Sequence, residues 1–225
     1  MTGFSSDLTE RDYEVKIGDY FSRGWDIFKQ YAWAFIAFTL VTVLITGLLA
    51  VILPSPLGMR TGGDNPLGGS NIVANILSPV LGVGYYFVAF QIARGRSYGF
   101  GDFFNGFKKF LPVFLTAMVS SVLIGLGFIL LILPGIYLAV SYLFAQLFVV
   151  DKNLNFWSAM ETSRKVITKK WFSFFGLILL LALLNLLGAI ILGIGLLVTI
   201  PLSACVIAAA YEDVVGLNAV AEPTL

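Results

Sequence analysis

The sequence contains no histidine and only one cysteine, Cys205. Histidine is the side chain whose ordinary pKa lies near neutrality, so its absence removes the commonest general base and the commonest metal ligand. A lone cysteine can neither close a disulfide within the chain nor build a Cys/His metal cluster. Cys205 lies in an apolar run, where free cysteine behaves as a small buried hydrophobe. Charge is also scarce: 12% of residues are Asp, Glu, Lys or Arg, where ordinary globular domains carry about 25%. The first residues, MTGFSSDLTERDYEVKIGDYF, contain Asp7, Glu10, Asp12 and Glu14. They lack a basic segment followed by an apolar one, so no cleavable signal peptide is expected.

What the chain has instead is apolar residue, 58% of the total, with a mean hydropathy of +0.91. That balance places it among integral membrane proteins. The net charge of +1 says little, because in a membrane protein the position of each charge matters more than the sum.

The hydrocarbon core is about 30 Å thick and a helix rises about 1.5 Å per residue, so a span needs roughly 20 apolar residues. Tyr31 to Leu53 is one such run, closed by the Pro/Gly/Asn-rich stretch PSPLGMRTGGDNPLGGSN. Ile72 to Ala93 is the second, ended by RGRSYGFGD. Phe110 to Val150 and Trp171 to Tyr211 are each about twice the length of one crossing and must fold back. LPG at Leu133 to Gly135 supplies the first break, since proline removes a backbone donor. GIGLLVTIP, Gly193 to Pro201, supplies the second. The expected fold class is therefore all-α and polytopic, with six transmembrane helices arranged as three hairpins.

Of the 14 Lys and Arg residues, all except Arg60 fall on one side of such a chain. By the positive-inside bias both termini are expected in the cytoplasm of a bacterial cell, with the protein in the cytoplasmic membrane.

The stretch DKNLNFWSAMETSRKVITKKW, Asp151 to Trp171, connects the second and third hairpins. At helical spacing Phe156, Ala159, Met160, Ser163, Val166 and Ile167 share one face, with Glu161, Arg164, Lys165, Thr168 and Lys169 opposite. Asn155 suits the N-cap. The pattern predicts an amphipathic helix lying at the membrane surface. Ile17, Tyr20, Phe21, Gly24, Ile27 and Phe28 repeat the pattern before the first span, with Asp19, Asp26, Lys29 and Gln30 opposite. Phe103, Phe104, Phe107, Phe110 and Leu111, after Asp102 and with Lys108 and Lys109 on the polar side, give a shorter version before the third. Pro79, Pro134 and Pro201 each precede a polar residue, Gln91, Gln146 and Asp213, by the same interval. Three copies of one unit are expected, about residues 17–94, 100–151 and 155–216 of a single membrane domain at 17–219. Residues 1–16 and 220–225 would be flexible tails.

The segment YFSRGWDIFKQYAWAFI, the broken hairpin ILPGIYLAVSYLFAQLFVVDKNLNFWSAMETSRKVITKKW and the final AAAYEDVVG resemble a broad group of bacterial six-span membrane proteins without settled function. That group includes the membrane domain fused to glycerophosphodiester phosphodiesterases. The likeness covers nearly the whole chain, about 17–216, through structural motifs. The phosphodiesterase domain itself is not expected in this chain, so the resemblance implies a membrane fold and brings no activity with it.

Polar groups in hydrocarbon are functional candidates. Asn185, Gln91 and Gln146 are the candidate intramembrane contacts, and Ser120, Ser121, Tyr137, Ser141 and Tyr142 are scattered through the third and fourth spans. No acid or base falls at mid-span, which argues against proton coupling and voltage sensing. Glu212 and Asp213 point about 100° apart on one helix. They are expected in ion pairs with Arg94, Arg96, Arg164 or Lys170. Arg94, Arg96, Arg164, Lys165, Lys169 and Lys170 are candidate contacts for anionic lipid. ARGRSYGFGD is glycine-rich but lacks the spacing of a phosphate-binding loop. Small residues at Ala182, Ala189, Gly193, Ala204 and Ala208 would let helices approach closely.

These features point to a non-enzymatic membrane protein without a cofactor or nucleic-acid partner: a scaffold, an assembly factor or an accessory subunit. Its partners would be membrane lipids and a membrane protein or a second copy of itself. The alternative is a transporter, channel or lipid-handling protein with a pathway among the hairpins, for which a polar cavity would be the sign.

Overall fold

The computed structural model describes residues 12–52, 72–190 and 193–217. The loop carrying Arg60, Arg11 with most of the first tail, and the last eight residues lie outside them. The described residues are helical, with no strand among them. In chain order they form α1 (Ile17–Gln30), α2 (Ala32–Ile52), α3 (Ile72–Ala93), a 3-10 helix (Phe100–Lys109), α4 (Phe110–Leu130), α5 (Ile132–Ser141), α6 (Ala145–Lys152), α7 (Phe156–Thr168), α8 (Trp171–Ile190) and α9 (Leu196–Val215). Among the described residues, six stretches are long and apolar enough to cross a membrane: Ala32–Leu49, Asn75–Ala93, Phe100–Leu130, Ile132–Lys152, Trp171–Ile190 and Leu196–Val215.

Three details depart from the sequence expectation. The reversal before α5 falls at Leu131, which is extended (φ −160°, ψ 143°), rather than at Pro134. Pro134 sits in the first turn of α5, where a missing N–H costs no helical hydrogen bond. The fourth span is also broken a second time, because α5 stops at Ser141 and α6 resumes at Ala145. Finally, the shortest amphipathic segment is a 3-10 helix, in which side chains repeat every third residue. Phe103 and Gly106 are therefore buried, while Phe107 and Leu111, expected on the same face, are exposed.

The apolar faces of the amphipathic elements rest on protein rather than on a membrane surface. In α1, Tyr20, Gly24, Ile27 and Phe28 are buried and Asp19, Asp26 and Lys29 are exposed. Gly24 meets α9 so closely that a Cβ there would lie 2.7 Å from Val206 Cα. The 3-10 helix seats Gly106 against the Val80 carbonyl of α3, and Gly84 of α3 meets the Phe103 carbonyl in return. α7 places Ser163 at the break between α5 and α6. Gly84 and Val206 each lie nine residues before the end of their helix, about 14 Å along the axis. These are contacts on the flanks of the spans, well inside their ends.

Aromatic rings fill the joints. Phe103 stacks on Phe38 at 4.5 Å and meets Phe35 edge-on at 5.4 Å, uniting the 3-10 helix with α2. Tyr211 of α9 lies among Phe90, Phe144 and Phe148, at centroid distances of 5.5, 5.4 and 5.2 Å. Close helix approach uses glycines that the small-residue pattern did not single out. Gly127 faces Gly135 across the α4–α5 turn, and Gly188 faces Gly195 across the α8–α9 turn. Ala182 and Ala189 point outward instead, while Ala204 and Ala208 are buried.

Candidate functional site

The break in the fourth span opens a cleft. Residues Tyr142 to Phe144 leave the helical ladder, and one side chain binds the two groups freed there. Ser163 Oγ of α7 donates to the Ser141 carbonyl at 2.7 Å and accepts the Phe144 N–H at 3.1 Å. Asn155 Oδ1 caps α7 by accepting the Ser158 N–H at 2.9 Å, and Asn153 reverses the chain before it in a left-handed conformation (φ 54°). Local chain geometry thus aims Ser163 at the break.

Beside the break, α4 presents Ala117, Ser120, Ser121 and Ile124, one face at i, i+3, i+4 and i+7. The small side chains of Ala117, Ser120 and Ser121 leave a cleft of about 310 Å³, whose other walls are Ile124 of the same helix, Pro79 and Tyr86 of α3, Ala139 of α5, the turn residues Tyr142 and Leu143, and Ala145 and Gln146 of α6. Ser120 Oγ is buried without a hydrogen-bond partner. The lining carries hydroxyl and amide groups and no formal charge. Such a site can hydrogen-bond a neutral polar group but cannot neutralise an ion.

The sequence candidates fall in several places. Gln146 lines the cleft, with Ser120, Ser121 and Tyr142. Gln91 and Asn185 lie elsewhere. Asn185 Nδ2 donates to the Leu181 carbonyl and to Ser203 Oγ, both at 2.8 Å, which ties α8 to α9. Tyr137 is bonded to Thr168 Oγ1 at 2.8 Å, and Trp171 Nε1 donates to its carbonyl at 3.3 Å.

The ion pairs form with other partners than those expected. Arg23 binds Glu212 at 2.6 Å, and Tyr20 donates its hydroxyl to Asp213 at 2.9 Å. Arg94 binds Asp151 at 2.7 Å. Asp151 is 1% exposed at its side chain and also takes Lys152 at 3.1 Å and the Tyr211 hydroxyl at 3.3 Å. Lys152 reaches on to the Gly216 carbonyl at 2.8 Å, so this cluster joins α3, α6 and the end of α9. Arg164 is held by Glu161 through two hydrogen bonds of 3.0 and 2.8 Å, and that guanidinium keeps the Glu161 carboxyl below its usual range. Lys165 shares Glu161 at 3.3 Å, and Lys170 meets Asp12 at 3.3 Å. Arg96 and Lys169 are exposed.

Part of the expected tail is fixed as well. The Tyr13 hydroxyl donates to the Val166 carbonyl at 2.7 Å, and burial pushes the Tyr13 pKa up. Asp151, Arg23 and the latch role of Ser163 escaped the sequence reading. The only signal for Asp151 was an acid at the end of an apolar run, and nothing local pairs it with Arg94.

The fold and this arrangement define a multi-pass α-helical membrane protein with a cleft beside the break in its fourth span. Comparison with family models, with curated proteins and with solved structures finds no match to the chain.

Proposed function

We propose that this is a non-enzymatic protein of the bacterial cytoplasmic membrane that handles a lipid or another amphiphile dissolved in the bilayer. The observation that carries the reading is the cleft, where hydroxyl and amide groups converge inside a membrane-spanning bundle and one hydroxyl has no partner. Polar groups in hydrocarbon are costly without a purpose. A cleft of about 310 Å³ falls at the lower end of the range for ligand sites, about 300 to 1,000 Å³.

The scaffold reading has in its favour the lack of chemistry in the spans and the large aromatic surfaces at the interface. Tyr20, Phe28 and Phe103 are buried inside the fold, while Trp25, Trp33, Trp157 and Phe172 stay exposed. The charged clusters of Arg23, Arg94, Lys152 and Lys170 gather at one end of the bundle, in support of a cytoplasmic placement of that end. We also read the chain as three copies of one unit: each amphipathic element seats a small residue, Gly24, Gly106 or Ser163, on the second span of the unit before it, the first unit closing on the third.

Purification in mild detergent followed by native mass spectrometry tests the function. The expected result is a lipid-sized adduct on the wild-type protein that is lost in Ala117→Phe, which fills the cleft, while thermal melting shows the variant still folded. A lipid-free chain carrying a stoichiometric protein partner would restore the scaffold reading instead.

A further inference from the structure

The chemistry of the cleft narrows what it would bind, given the lipid-handling reading above on which this step rests. Every lining side chain is uncharged, and Ser121 and Gln146 carry donors and acceptors. No lysine or arginine lines the cleft, and three cations elsewhere in the fold are already engaged. Arg164 is clamped by Glu161, Arg94 by Asp151, and Lys109 Nζ donates to the Val149 and Val150 carbonyls of α6. A phosphate head in the cleft would be buried without a counter-charge, an arrangement proteins avoid. A hydroxylated neutral head brings no charge to compensate, and Ser121 and Gln146 can hydrogen-bond it.

Size and surroundings agree with this. About 310 Å³ accommodates a small head and the start of a chain rather than a whole two-chain lipid. The face of α4 that carries Ser121 and Ile124 continues to Phe128, which is 45% exposed and offers an apolar track along the outside of the bundle. We propose that the cleft among α3, α4 and the α5–α6 break binds the uncharged, hydroxyl-bearing head of a neutral glycerolipid, with its acyl chain lying along α4 in the bilayer.

The test uses the full chain in phosphatidylcholine nanodiscs and two photoreactive probes with the same acyl chain, a monoacylglycerol and a lysophosphatidic acid. The monoacylglycerol is expected to label peptides of α4 and the α5–α6 turn. Unlabelled monoacylglycerol should compete roughly tenfold better than lysophosphatidic acid, the difference that one buried unpaired group makes. Ser120→Ala combined with Ser121→Ala should cut the labelling severalfold with unchanged melting, and Ser120→Thr should retain it. Equal or stronger labelling of these peptides by the phosphate-bearing probe overturns the neutral-head proposal and leaves the lipid-handling reading standing. Labelling by neither probe, or only at other peptides, overturns both. The wild-type competition decides the matter even if the double variant fails to fold.

Discussion

At the scale of single residues, the decisive groups are charges and hydroxyls brought together from distant parts of the chain. Asp151 is buried and bound to Arg94, Lys152 and Tyr211, so it acts as a fastener between α3, α6 and α9. Removing one partner of a buried ion pair costs about 3–5 kcal/mol because the other charge stays behind. Asp151→Ala is therefore expected to lower the detergent melting temperature sharply. The double variant Asp151→Ala with Arg94→Met should recover a good part of the loss, and simple additivity of the two would contradict the fastener. Tyr20 offers a pH test. Burial raises its pKa, and so does its hydrogen bond to the Asp213 carboxylate. A group whose folded pKa exceeds its unfolded one stabilises fully below the unfolded value, about 10 for tyrosine, and loses that contribution as pH rises through the folded value. Stability should thus fall as pH climbs above about 10, with tyrosinate absorbance of Tyr20 appearing late. Tyr20→Phe should flatten this slope; an unchanged slope would place its origin elsewhere.

At the scale of elements, the sequence exposes what depends on local pattern and hides what depends on distant partners. Apolar length alone marks the spans, since a bilayer imposes its thickness on each of them. The alternation of faces marks α1 and α7, and Asn155 marks the start of α7. The turn at Tyr142 to Phe144 is invisible in the same way, because that stretch has no proline or glycine. What makes the break tolerable is Ser163, which bonds Ser141 and Phe144 from another helix. The cleft depends on that break, so of its polar residues only Gln146 could be singled out as a contact, and only by its spacing from Pro134. The 3-10 helix was misread for a related reason: its three-residue period and the seat of Gly106 on Val80 are fixed by contact with α3. Ser163→Ala is expected to destabilise by about 1–3 kcal/mol, the cost of leaving buried backbone groups unpaired. Hydrogen exchange should speed up at Phe144 and its neighbours. If exchange there stays as slow as in the wild type, Ser163 is not the latch.

At the scale of the whole molecule, the first amphipathic helix lies against the last span, through Gly24 on Val206, Arg23 on Glu212 and Tyr20 on Asp213. A ribosome delivers these two helices in the opposite order to their need for each other. α1 leaves the ribosome well before α9 does. Until α9 is made, the part of the α1 face centred on Gly24 lacks its partner, although Phe28 can already meet Phe35 of α2. A bilayer surface can hold such a face in the meantime. In a background of Cys205→Ala, a cysteine placed by Ile27→Cys should be protected from a membrane-permeable thiol reagent in the full chain and labelled in a chain ending before α9. Equal protection in both would mean that another part of the bundle covers α1 first. With protection confined to the full chain, the surface location that the charge pattern suggests for α1 would belong to a stage of its biogenesis, ended by the arrival of α9.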